Sequence, residues 1–162
     1  MNSTLALTFP SDRELISTRS FQAPRSLVFE AFSSCQHIKN WWGPRRMDVV
    51  SCEMDFRTGG HYRFVHKDSD GTVYGFRGDY LEIVEAEVIE QTFECELMPG
   101  LISRERMVFS EENGITTITG HSWYDTSEQM RGHVDSGMEE GMIETFDRLE
   151  EYLDQRQEKG SC

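Results

Sequence analysis

No part of this 162-residue chain is both long and apolar. A membrane-spanning helix needs about 18 consecutive apolar residues, and nothing here approaches that length. Basic residues are scarce as well: 16 Lys and Arg stand against 29 Asp and Glu, a formal net charge of -13. Nucleic acids and anionic membranes are held by Lys and Arg that replace counterions, so neither is expected as a partner. The excess acid reads as a solvated exterior, with an acidic face for a basic protein partner as the alternative. The four cysteines, Cys35, Cys52, Cys95 and Cys162, show no paired spacing, and the N-terminus lacks a basic n-region and a long apolar h-region. The expectation is a cytoplasmic protein with reduced thiols.

The same scarcity extends to catalytic signatures. His37, His61, His66, His121 and His133 form no helical i, i+4 pair around a Glu and have no Cys-x-x-Cys partner, so no metal and no other cofactor is expected. Gly59-Gly60 lies between strand patterns with no helix start behind it, which reads as a tight turn rather than a phosphate loop. No serine or cysteine has a base at a diagnostic spacing.

What the chain does have is enough apolar residue, 37% overall, to build one domain with a real core. The domain is placed at residues 14–157, with an N-terminal flank over 1–13 and a C-terminal tail over 158–162. Near the end, Met138, Met142, Phe146, Leu149 and Leu153 fall on one stripe at helical pitch, with Glu140, Glu144, Asp147, Glu151 and Asp154 opposite. A helix of about four turns is marginal alone, so that stripe needs a surface.

The preceding residues supply strands. Glu14 to Gln22 reads as a first strand, Pro24 opens a short helix carrying Leu27, Val28, Ala31 and Phe32, and residues 34–42 add a second, ended by Gly43-Pro44. From Met47 the period changes to two, giving strands over 47–56, 61–66, 72–84, 87–97, 101–110 and 115–124. The alternation is clearest where Ile89, Gln91, Phe93, Cys95 and Leu97 share one face, and Asn113-Gly114 marks a hairpin. Gly75, Gly78 and Gly120 mark bends or close approaches within strands. One helix covers only one face of such a meander, so the expected architecture is α+β, a curved antiparallel sheet wrapped around a long C-terminal helix.

A curved sheet and a straight helix cannot touch along their whole length, and the space between them is a ligand pocket of ordinary character. Its expected lining is Phe32, Trp42, Tyr62, Phe64, Phe76, Phe93, Met107, Phe109, Met138, Met142 and Phe146. Glu105 and His121 are candidate polar handles. Glu105 and Glu82 both interrupt apolar patterns, and an inward carboxylate needs a partner, for which Arg57, Arg63 and Arg104 are candidates. A bulge that returns either carboxylate to water is the alternative. In the last strand, either Thr119, His121 and Trp123 or Ile118, Gly120 and Ser122 face inward.

Ala23-Pro24-Arg25 with Val28-Phe29 and Ala31-Phe32, Trp41-Trp42-Gly43-Pro44, and Asp55-Phe56-Arg57-Thr58-Gly59-Gly60 before Tyr62-Arg63-Phe64 together resemble the START-related SRPBCC superfamily. More narrowly they resemble the C-terminal domain of the activator of the heat-shock-protein-90 ATPase. The closing Ser136 to Met142 and Asp147-Arg148-Leu149 extend the resemblance to about residues 15–153. It implies the helix-grip fold and a deep hydrophobic cavity under the C-terminal helix. The fold hosts lipid carriers, cyclases, binders and co-chaperones, so it does not itself choose a function. The co-chaperone carries a further N-terminal domain, for which Met1 to Arg13 is too short.

Three functions follow as expectations. The first is non-enzymatic binding of a small hydrophobic or aromatic molecule between sheet and helix. The second is an interaction module that modulates a chaperone ATPase, and the third a cyclase or hydrolase using Glu105, Glu82 or His121.

Overall fold

The structure is a computed structural model that describes residues 4–160. Its strands are β1 (Ala6–Ser11), β2 (Glu14–Phe21), β3 (Met47–Met54), β4 (His61–Asp68), β5 (Val73–Val84), β6 (Val88–Cys95), β7 (Ser103–Glu112) and β8 (Ile115–Trp123). Its helices are α1 (Arg25–Glu30), α2 (Cys35–Ile38), α3 (Ser127–Asp135) and α4 (Met138–Gly160). The eight strands form one antiparallel sheet in the order β1-β2-β8-β7-β6-β5-β4-β3. The sheet curves around α4 as the helix-grip fold requires.

Glycine permits the curvature at two crossings. A Cβ on Gly78 would lie 1.9 Å from the Thr92 carbonyl and 2.7 Å from the Tyr62 ring. On Gly60 it would lie 1.9 Å from the Asp55 carbonyl, so Gly59-Gly60 is a tight turn between β3 and β4, as expected. Beyond Phe21 at the end of β2 the chain runs into Pro24, which precedes α1, and Trp41 seals the helical pair by donating its indole N–H to the Ala31 carbonyl at 3.0 Å.

The C-terminal half of α4 is a core helix. Leu149 and Leu153 are completely buried, and each contributes about 2 kcal/mol of apolar burial. Around them pack Phe21, Val28, Phe29, Trp41, Phe109 and Ile118. Arg19, buried on β2, reaches Asp147 of α4 at 3.1 Å, while Arg148 donates to the Gly43 carbonyl at 2.8 Å. Asp147-Arg148-Leu149 thus ties the helix to β2, to the turn after α2 and to the core in three successive residues.

Four expectations change. The flank drawn over residues 1–13 contains β1, which pairs with β2; its edge position, largely exposed side chains and Pro10 left no periodic signal. The tail drawn from residue 158 is helical to Gly160. The helix α3 falls where no element was expected. The thiols are not all reduced, because Cys35 at the start of α2 and Cys52 on β3 form a disulfide, leaving Cys95 as the free cysteine among the described residues. Residues 1–3 of the flank and 161–162 of the tail, with Cys162, lie outside the described residues. Among those described, no helix is long and apolar enough to cross a membrane.

Candidate functional site

Toward its N-terminal end α4 parts from the sheet. A cavity of about 840 Å³ lies between them, bounded by the concave faces of β4 to β8, the Trp42-Gly43-Pro44 turn, α3 and the first turns of α4. That volume is in the range of pockets that enclose a small organic molecule.

The strand patterns explain the lining. Ile89, Gln91, Phe93, Cys95 and Leu97 all border the cavity, so they share one face of the sheet as their alternation predicted. On β8 it is Ile118, Gly120 and Ser122 that face inward, with Ile118 3% exposed and Thr119 exposed. At the centre of the floor, Ser122, Glu105 and Gln91 are successive cross-strand partners on β8, β7 and β6. They form a polar row across an otherwise apolar surface.

Glu105 is the unusual member. It is half-buried by accessible area, but that area opens into the cavity, and protein surrounds the carboxyl. Burial pushes it up to about 7, opposed by a hydrogen bond from the Gln91 amide that favours the ionised form. No arginine reaches it. Arg57 pairs with Asp55, Arg63 with Glu96, and Arg104 lies over the Trp123 ring at 4.2 Å and within 3.9 Å of Glu90.

Two tyrosines and a histidine stand near this row. Tyr124 borders the cavity, and its hydroxyl is 2.6 Å from Nδ1 of His133 on α3. Burial raises the Tyr124 phenol, with Glu105 nearby adding to the shift, and burial lowers His133. The His133 ring lies parallel to Phe93 at 6.3 Å. Behind the wall, Tyr62 donates to the Thr92 carbonyl at 2.6 Å, and the Gln91 amide donates to the Tyr62 hydroxyl at 3.4 Å.

At the other end, His66 is 1% exposed between Trp42 at 4.7 Å and Phe76 at 5.4 Å. Neither ring nitrogen has a hydrogen-bond partner, and burial lowers its pKa to about 4, with Arg148 adding to the effect. Gly43, at φ +97°, leaves room for this ring, since a Cβ there would be 2.5 Å from His66 Cε1.

Of the expected lining, Phe32, Trp42, Phe64, Phe76, Phe93, Glu105, Met107, Met138, Met142 and Phe146 border the cavity. Tyr62 and Phe109 do not; both are 2% exposed and belong to the packed core, Phe109 through edge contacts with Phe29 and Phe32. His121 is at the cavity's border, but its ring stacks on Trp123 at 3.8 Å and lies 3.0 Å from Glu14. Those contacts are on the convex face of β8, so the imidazole is not an internal handle. Glu82 returns to water through a bulge and pairs with Arg106 at 3.0 Å. The acidic alternatives for a cyclase or hydrolase therefore reduce to Glu105.

Gln91, Tyr124, His66 and His133 were not expected at the site, and Ser122 was expected there in one of the two readings of the last strand. For His133 the signal was present: Thr126 and Gln129 stand three apart, the spacing of a capping box. The Gln129 N–H donates to the Thr126 hydroxyl at 3.1 Å, starting the helix that carries His133.

Among solved structures, protein NE0264 from Nitrosomonas europaea is similar at 23% identity and a TM-score of 0.83, covering 92% of this chain and 99% of that one. A Rhodobacter sphaeroides protein aligns at 19% identity and a TM-score of 0.87 over 94% and 99% of the two chains. A Staphylococcus epidermidis protein aligns at 25% identity and a TM-score of 0.75 over 91% and 93%. No curated protein matches. The family described as Activator of Hsp90 ATPase homolog 1-like protein matches residues 22–154, which run from just after β2 through β3 to β8 and most of the cavity lining into the greater part of α4. The chain belongs to that family, within the SRPBCC superfamily.

Proposed function

We propose that this protein binds a small, largely apolar molecule between its sheet and the N-terminal half of α4. The observation that carries this is the cavity of about 840 Å³, walled by aromatic and methionine side chains around one central polar row. In a well-filled core such a volume would be occupied by side chains, and leaving it open costs packing energy. Here the residues that could fill it turn inward and still leave room. Trp42, Phe76 and Phe93 offer flat apolar faces, Met107, Met138 and Met142 offer adaptable ones, and Glu105 with Gln91 offers one place for a polar group.

The space under α4 favours binding over the reading as an interaction module, which works through its outer surface and gives the open space no role. For a cyclase or hydrolase, Glu105 would be the acid or base, with the Ser122 hydroxyl opposite it on β8 and the Tyr124–His133 pair nearby, but no hydrogen bond among the described residues joins Ser122 to a base.

Titration with N-phenyl-1-naphthylamine, whose fluorescence rises on leaving water, tests the proposal. Saturable enhancement described by one site and unchanged at high salt is expected, because burial of apolar area drives it. Linear, non-saturating enhancement would overturn the proposal.

A further inference from the structure

The charge inside and around the cavity goes further than its shape. Glu105 sits in the floor without a cationic partner, and Glu128, Glu140 and Glu144 stand along the wall formed by α3 and α4. Against these four carboxylates, Arg46 is the one Lys or Arg among the described lining residues, and it is held by Asp68 at 3.1 Å. Of the lining imidazoles, His121 is turned to the convex face, where it lies 3.0 Å from Glu14. His66 is buried with both nitrogens unpartnered, and His133 is engaged by Tyr124. From the neighbouring strands the groups facing Glu105 are neutral: Gln91 on β6, Ser122 on β8, and the Tyr124 and Tyr62 phenols.

Glu144 accepts the Arg45 backbone N–H at 3.2 Å, but Glu105 has no such partner, so an anionic ligand reaching the floor would meet an unpaired carboxyl and no available cation, and would lose its own hydration on entry. A cation on an apolar body would meet the opposite conditions. Its charge would pair with a carboxylate in a site of low dielectric, and its ring or chain would lie on Trp42, Phe76 and Phe93, whose faces also attract positive charge. Building on the ligand-binding reading, we infer that the cavity selects hydrophobic amines, with the ammonium group placed at Glu105.

The arrangement accounts for why a carboxylate is tolerated in that floor. Alone, Glu105 is held partly protonated near neutral pH by its burial, with Gln91 as its hydrogen-bonding partner. An ammonium ion brought against it supplies the missing counter-charge, so binding favours the ionised carboxylate and is linked to loss of its proton. Amine binding therefore strengthens as pH rises through about 7, until the amine itself deprotonates.

Three probes that share one ring system separate the claims: 1-naphthylmethylamine, 1-naphthalenemethanol and 1-naphthoate, each titrated by calorimetry into the intact protein. The amine is expected to bind at least about tenfold more tightly than the alcohol at pH 8, as a charge-assisted hydrogen bond to a buried group would give, with naphthoate weakest. The amine-to-alcohol ratio should fall between pH 8 and pH 5.5, and should collapse to near one in Glu105→Gln. Equal binding of all three probes would overturn the amine inference and leave the ligand-binding reading standing. An amine preference that survives in Glu105→Gln would also overturn it, by assigning the selectivity to the outer carboxylates. If none of the probes binds, the ligand-binding reading fails and the inference fails with it. The pH profile of the unmodified protein keeps the test independent of whether the variant folds.

Discussion

Gln91 on β6 and Glu105 on β7 are direct cross-strand partners, and both turn their side chains into the cavity beneath α4. The pairing places an amide against a buried carboxyl with no arginine in reach, and the pH behaviour of the fold follows from it.

Burial raises Glu105 from an ordinary value of 4.5 to about 7. Between these values the unfolded chain has released its proton while the folded protein retains it, so Glu105 makes stability fall as pH rises from about 4.5 to 7. Glu105→Gln keeps the hydrogen bond to Gln91 and removes the charge. Urea unfolding should show the variant more stable than the parent by about 1–3 kcal/mol at pH 8, and equal to it near pH 4.

His66 acts with the opposite sign. Its pKa falls from 6.5 to about 4 on burial, so the unfolded chain binds the extra proton, and stability is lost as pH falls through that interval. In His66→Leu the slope between pH 6.5 and 4 should flatten, corresponding to about 2 kcal/mol at pH 5. Comparing the pH slopes of the two proteins by chemical denaturation reads this apart from any packing change.

Gly141 borders the cavity from α4, and a Cβ added there would meet no atom within 4 Å. Gly141→Phe should therefore start its side chain in open space and direct its ring into the cavity, with about 0.5 kcal/mol gained in helix propensity. Thermal unfolding should show an unchanged or slightly higher midpoint, while N-phenyl-1-naphthylamine enhancement is lost. Leu149→Ala, on the buried half of the same helix, should instead cost about 3 kcal/mol.

The Cys35 and Cys52 disulfide closes a loop of 17 residues in sequence separation, joining α2 to β3. Reduction, or the double substitution to serine, should lower stability by about 3 kcal/mol by releasing that loop in the unfolded chain. Denaturant midpoints with and without reductant measure it, and Cys95→Ser serves as the control that leaves the disulfide intact.

Much of this arrangement was legible in the residues. Ile89, Gln91, Phe93, Cys95 and Leu97 alternate so regularly that their shared face could be read directly, and the stripe from Met138 to Leu153 announced a helix with one dry side. The last strand was not legible, because one face carries Thr116, Ile118, Gly120 and Ser122 and the other Thr117, Thr119, His121 and Trp123, each mixing polar and apolar residues, so polarity does not choose between them. Only pairing with β2 and β7 turns Ser122 inward and His121 outward. The disulfide depends on a tertiary approach of α2 to β3 that no spacing encodes. Tyr62 and Phe109 have the bulk of cavity residues, but their depth in the packing sets them behind its wall.

The most direct test of the cavity uses methionine methyl groups labelled with ¹³C. Met107, Met138 and Met142 border the cavity from the sheet and from α4, whereas Met54 and Met130 do not. On titration with 1-naphthylmethylamine, the account predicts large, saturating shifts at Met107, Met138 and Met142, with Met54 and Met130 nearly unmoved. Shifts absent from those three methyls, or spread evenly over all five, would contradict it.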